Sequence, residues 1–351
     1  MLSLLQPRHF LAALLAFCLA PASWAFSVGL QHIELPDAGA SQRKLTFAVL
    51  YPTTASGPVS TIAENPVFIG HEMVENAAIE PKARPLVLLS HGLGGNWRNQ
   101  LWLAKKLVQQ GYVVAAPSHP GTTTGDINNS TGAQLWERPR DLSRVVDFLS
   151  RSPKWAAAVD ATQVAAIGHS LGGWTVMQLG GSRFDPQRLA QDCVKNSQLA
   201  SCTAYEQMGA GRDAASRALL GRSMRDPRVR AVVSFDLGLA RGLDPASLSN
   251  FPVPALVIGA GPHYKELPSD MESGLLAKLL PPISTQAMTI DDAGHFSFLQ
   301  LCKPGGIAIL EKEEPGDGMI CLDGGGRGRA AIHQQVEKIV VDFLHKAGFK
   351  P

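Results

Sequence analysis

One short stretch constrains the fold most: Ile167-Gly168-His169-Ser170-Leu171-Gly172-Gly173. The apolar run Val164-Ala165-Ala166 leads into it, and Trp174-Thr175-Val176-Met177, a helical pattern, leads out. A G-x-S-x-G pentapeptide between a strand and a helix places its serine on a sharp, strained turn with the hydroxyl exposed. Glycines without a Cβ let the two backbones crowd around such a turn. Ser170 is therefore the candidate nucleophile. The rest of the chain is read for the sheet that would present it and the groups it would need.

Leu86-Val87-Leu88-Leu89-Ser90 has the apolar continuity of a strand buried on both faces. Further strands are expected at 112–116, 229–235, 255–259 and 286–290, with helices at 96–110, 138–150 and 330–347. Strands alternating with helices imply a mainly parallel central sheet with helices on both faces. Residues 28–30 and 45–51 read as antiparallel strands at the sheet edge, separated by the linker 37–40. Residues 53–85 read as irregular surface chain with one short helix near 69–76. His71-Glu72 lacks the second histidine of an H-E-x-x-H motif. Residues 180–226 break the rhythm and read as an inserted cap or lid, helical around 213–220. An α/β chain of 351 residues fits one domain, here 26–351.

The N-terminus has the form of an export signal. Arg8 and His9 precede an apolar run over 10–20, and Ala22-Ser23-Trp24-Ala25 sets a cleavage site after Ala25. That run is about half the ~20 residues of a spanning helix, so no stable membrane span is expected after cleavage. Cleavage removes Cys18 and leaves Cys193, Cys202, Cys302 and Cys321. An even number in an exported chain points to disulfides with three pairings open, and proximity favours Cys193–Cys202 and Cys302–Cys321. No C-x2-C pair suggests a metal site. A net charge of +2 without a clustered basic face gives no nucleic-acid footprint. The partner expected is a small-molecule ester.

A serine hydroxyl needs a base within hydrogen-bond reach, and the base needs an orienting group. His295, in Asp291-Asp292-Ala293-Gly294-His295-Phe296, follows the last strand and is the candidate base. Two acids remain open. Asp236 ends the strand Val232-Val233-Ser234-Phe235, where a rigid element would preorganise it. Asp270 lies further out in the loop after the next strand. Backbone N–H groups of Leu93, in His91-Gly92-Leu93-Gly94-Gly95, and of Leu171 are the candidate oxyanion donors. His91 precedes that loop as a candidate backbone-orienting group. His119, in a strand-end loop, and Trp174, just past the serine, are candidate substrate contacts. No Walker lysine and no G-x-G-x-x-G occurs, so no cofactor is expected.

Ser90-His91-Gly92-Leu93-Gly94-Gly95, the run 107–120, Gly168-His169-Ser170-Leu171-Gly172-Gly173, the strand ending at Asp236 and Gly294-His295 together resemble the α/β-hydrolase fold. More narrowly they resemble the platelet-activating factor acetylhydrolase and dienelactone-hydrolase-like branch, in an exported bacterial form. Dienelactone hydrolases use cysteine where this chain has Ser170. The resemblance implies Ser170 as nucleophile, Asp236 as acid, His295 as base, and Leu93 and Leu171 as oxyanion donors. It implies hydrolysis of carboxylic esters through an acyl-enzyme. Short acyl or small polar esters are expected because the sequence shows no large continuous apolar lid helix. A non-catalytic binding protein on the same scaffold and an amidase or peptidase are the rival readings.

Overall fold

The apolar runs become strands in the expected order. The computed structural model describes residues 26–36, 43–262, 264 and 266–351. The expected export signal, its cleavage site and Cys18, the 37–40 linker and His263 lie outside the described residues. Ser27–Leu35 (β1) and Leu45–Thr53 (β2) pair antiparallel, from Ser27 opposite Thr53 to Leu35 opposite Leu45. Val59–Ile62 (β3) and His71–Glu75 (β4) form a second antiparallel pair, joined parallel to β1 through β4. Then come Arg84–Ser90 (β5), Val113–Ser118 (β6), a small hairpin of Thr122–Thr123 (β7) and Asp126–Ile127 (β8), and Val159–His169 (β9). Val229–Phe235 (β10), Ala255–Ala260 (β11) and Thr285–Ile290 (β12) complete the set. The main sheet has ten strands in the order β12-β11-β10-β9-β5-β6-β2-β1-β4-β3. From β12 to β6 every pairing is parallel, and β2 joins β6 antiparallel.

Alternation along β5 divides the core. Leu86 and Leu88 face one layer, Val87 and Leu89 the other. The second layer holds Leu101–Gln109 (α1), which buries Leu101, Trp102, Leu103, Ala104, Leu107 and Val108. Each fully buried Leu or Val there is worth about 1.5–3 kcal/mol. The one-turn helix Asn129–Gly132 (α2) follows β8. The first layer is built by Glu137–Arg151 (α3), with Leu142, Val145, Val146 and Leu149 at helical spacing, and by Leu171–Gly180 (α4), buried along its whole length. Three helices occupy the expected cap: Pro186–Lys195 (α5), Ala200–Met208 (α6) and Ala214–Leu220 (α7). The Asp185 carboxylate accepts from the Gln187 and Arg188 amides, with Pro186 in the first turn, so Asp-Pro sets where α5 starts. Pro245–Ser249 (α8) and Ser273–Leu279 (α9) close the first layer. Gly306–Glu313 (α10) lies over the strand ends, and Arg329–Lys346 (α11) joins α1 in the second layer. No helix of the described residues is long and apolar enough to cross a membrane.

Two expectations are corrected. Residues 69–76 hold β4 rather than a helix, because Met73 and Val74 bury against the sheet while β3 supplies an antiparallel partner. The helix expected from 96 starts at Leu101, since the Asn99 side chain accepts from the Asn96 amide and closes a turn first. A third feature goes beyond the sequence reading, which assigned no helix between Cys302 and Cys321: that segment holds α10. Disulfides join Cys193 to Cys202 and Cys302 to Cys321, the pairing that proximity favours.

Candidate active site

Ser170 leaves β9 with φ 55° and ψ −122°, a region that residues with a Cβ rarely adopt. Its N–H donates to the Phe235 carbonyl at 2.9 Å, which pins the turn to β10. Close approach explains the flanking glycines. A Cβ on Gly168 would lie 2.0 Å from the Gly172 carbonyl oxygen, and one on Gly172 would lie 1.9 Å from the Ser90 carbonyl oxygen.

β10 and β12 bring the other two groups to the same edge. Asp236 follows β10, buried, with φ 39°. The Ala260 N–H donates to its Oδ1 at 2.9 Å, and His295 Nδ1–H donates to its Oδ2 at 2.6 Å. His295 opens a short 3-10 turn, His295–Phe298, after β12. With the proton on Nδ1, its Nε2 accepts the Ser170 hydroxyl at 3.1 Å. Asp270 is exposed on the 3-10 turn Ser269–Met271 and does not partner His295. His169, beside the serine, donates from Nε2 to the His295 carbonyl at 2.8 Å and so tethers the histidine loop to the serine turn. Burial holds the His169 ring well below the usual histidine range, hence neutral.

The Leu171 N–H is the first of α4 and has no intrahelical acceptor. No hydrogen bond among the described residues uses the Leu93 N–H. Both leucines line the cavity in front of Ser170. This set can take a proton from Ser170 and offer two amide donors to a charge developing beside it.

His119 and Trp174 are not substrate contacts. His119 is fully buried, with Nδ1 on Asp141 and Nε2 on Ser90, so no polar edge reaches the cavity. Trp174 is 1% exposed and meets Phe184 edge-on at 5.4 Å in the core under α4. Ser90, His119 and Asp141 thus form a second serine–histidine–aspartate array, but Ser90 is 0% exposed, so no substrate carbonyl reaches it. Asp192, Cys193 and Cys202 come together closely enough for a metal, but the two sulfurs are already bonded to each other.

A cavity of about 810 Å³ opens onto Ser170, His295 and Leu93. One wall is cap helix α6, through Ala200, Ala204 and Met208. The opposite wall is the segment after His295, through Leu299, Leu310 and Ile320. Sequence reasoning missed that second wall, although Ile307-Ala308-Ile309-Leu310 is an apolar run that signals it.

The sequence profile of the alpha/beta hydrolase family matches residues 86–302, well over half of the chain. The chain belongs to the alpha/beta hydrolase family. Among curated alpha/beta hydrolase relatives, cutinase est1 of Thermobifida alba is 26% identical over 136 residues, covering 37% of this chain and 43% of the cutinase. Cutinase 2 of Thermobifida cellulosilytica is also 26% identical over 136 residues, covering 37% of this chain and 48% of that relative. The chain therefore spans less than half the length of these relatives. The ferulic acid esterase of Streptomyces cinnamoneus shares the fold, with a TM-score of 0.61 at 20% identity over 93% of this chain and 92% of the esterase.

Proposed function

We propose that the protein is a serine esterase that cleaves carboxylic esters through an acyl-enzyme. The observation that carries this reading is the continuous run Ser170 Oγ–His295–Asp236 at 3.1 and 2.6 Å, open to a cavity. Ser170 attacks the ester carbonyl while His295 Nε2 takes its proton, and Asp236 stabilises the imidazolium. The Leu93 and Leu171 amides hold the oxyanion. His295 then protonates the leaving alkoxide, and water, activated by the same ring, releases the acid.

The cap supports short or compact acyl groups. Helix α6 sets Thr203 and Gln207 at the cavity beside Ala200, Ala204 and Met208, so it offers no continuous apolar track for a long chain. Within the family, the acid directly after β10 favours the acetylhydrolase-like branch, whereas the relatives named above are cutinases. Two disulfides fit an exported enzyme, as the expected signal would require.

The test is hydrolysis of p-nitrophenyl acetate and butyrate. Ser170→Ala is expected to abolish it, and Asp236→Asn to lower kcat by about 10⁴-fold. Asp270→Asn is expected to match the wild type. Equal rates for Ser170→Ala and wild type refute the assignment. A folded wild type that takes no fluorophosphonate label identifies a binding protein on a hydrolase scaffold.

A further inference from the structure

The loop that carries the Leu93 amide rests on a sealed polar cluster. Ser90, His91, His119, Arg138 and Asp141 are each at most 1% exposed. Arg43 clamps both Asp141 oxygens, at 2.9 and 2.8 Å. His119 Nδ1–H donates to Asp141 at 3.0 Å, and the Ser90 hydroxyl donates to His119 Nε2 at 2.9 Å. The His119 backbone N–H donates to His91 Nε2 at 2.9 Å, which leaves the His91 proton on Nδ1. That proton is given to the Gly92 carbonyl at 2.7 Å. Gly92 C=O and Leu93 N–H are opposite ends of one planar trans peptide, so fixing the oxygen aims the N–H. Burial keeps His91 and His119 neutral, so the order of donors and acceptors is single.

Arg138, in the first turn of α3, joins this cluster to the serine turn. Its Nη2 donates to the His91 carbonyl, its Nη1 to Thr122 Oγ1 at 2.5 Å, and its Nε to Thr175 Oγ1 at 3.0 Å. Thr175 lies one turn into α4, the helix that begins with the Leu171 amide. One planar guanidinium therefore spans the two backbone segments that hold the two oxyanion donors. Gly172 packs between them, where a Cβ would lie 2.8 Å from the His91 carbonyl oxygen.

We propose that Arg138 is a positioning residue that sets the separation and direction of the Leu93 and Leu171 amides, with Ser90, His119 and Asp141 as a non-catalytic brace. The proposal rests on the esterase reading above. A rigid fork explains why arginine stands here. Lysine keeps the charge but cannot hold three acceptors in one plane.

The experiment compares wild type, Ser170→Ala, Arg138→Lys and Thr175→Val with p-nitrophenyl butyrate and with a trifluoromethyl ketone that forms a tetrahedral adduct on Ser170. Arg138→Lys is expected to lower kcat by about 100-fold while KM stays within about threefold. Thr175→Val is expected to lower it by about tenfold. Ketone affinity should fall in proportion to kcat/KM, a correlation that loss of core packing alone would not produce. Wild-type kcat and ketone affinity in folded Arg138→Lys overturn the proposal, as does a variant that loses only thermal stability. If Arg138→Lys does not fold, Thr175→Val and Ser90→Ala, each expected to lower kcat by about tenfold with ketone affinity falling in step, carry the test, and wild-type kinetics in both overturn it. Retained activity in Ser170→Ala strikes the esterase reading instead.

Discussion

Strain gathers where the chemistry would occur. Ser170, Asp236 and Leu239, none of them glycine, have φ of 55°, 39° and 66°. Each such residue costs about 1–3 kcal/mol and persists only where its surroundings over-determine it. Here the Ser170 N–H is fixed on Phe235 and the Asp236 N–H on Ile258, so neither turn can relax alone. The glycines leave as little room. The atom that a Gly172 Cβ would strike at 1.9 Å is the Ser90 backbone oxygen, not a side chain that can swing away. Gly172→Ala is therefore expected to cost more than about 2 kcal/mol of stability and to remove most esterase activity. Gly328→Ala, with nothing within 4 Å of its Cβ, serves as the control. Urea midpoints and p-nitrophenyl butyrate rates decide the matter. Equal values for Gly172→Ala and wild type would show slack in the turn and remove the steric account of the motif.

At the scale of elements, the cavity has two walls and each carries a staple. Cys193–Cys202 joins α5 to α6, and Cys302–Cys321 ties the segment after His295 to itself around α10. A crosslink over 19 residues stabilises by about 3 kcal/mol through loop entropy. Leu310 and Ile320 line the cavity, whereas Ser170, Asp236 and His295 are held by β9, β10 and β12. Cys302→Ser with Cys321→Ser should therefore raise KM several-fold and lower Tm while kcat changes little; an unchanged KM would separate that wall from substrate binding. These elements also mark what the sequence can tell. Ser170 and Asp236 were legible because each directly follows an apolar strand, and His295 because it lies in the loop after the last strand; each has a nameable chemistry. β3 and β4 were not, because their two strands join the sheet only where β4 pairs with β1, a partner distant in sequence. Nor were His119 and Trp174. Whether a polar or aromatic side chain faces a cavity or the core is set by neighbours such as Asp141 and Phe184, which no local pattern reveals. Arg138 escaped notice because a charged residue near a helix start reads as surface, and only the fold seals it between α4 and the β5 loop.

The molecule as a whole holds several histidines out of full contact with water, and this sets its response to acid. Burial drives His91, His119 and His169 well below 6.5, and holds His71 and His333 at about 4. All five are spread across both layers and the sheet edge. Their folded-state values are lowered, so the unfolded chain takes up protons that the folded chain refuses. Stability is then whole above pH 6.5 and falls as pH drops below it. The three fully buried rings alone give a slope on the order of 4 kcal/mol per pH unit. Glu272, raised by burial, opposes this with one proton in the range above 4.5. Asp226 and Asp292, lowered by their arginine partners, respond only in stronger acid. Urea midpoints at pH 7.5, 6.0 and 5.0 should therefore fall steeply. His333 stacks on Trp102 at 3.7 Å and donates to the Ser297 carbonyl at 2.9 Å. Replacing it by glutamine removes one proton from the balance and should flatten the slope by about 1.4 kcal/mol per pH unit. A midpoint that stays level from pH 7.5 to 5.0 would mean that these rings accept protons in place, and that the neutral hydrogen-bond order assigned to His91, His119 and His169 is wrong.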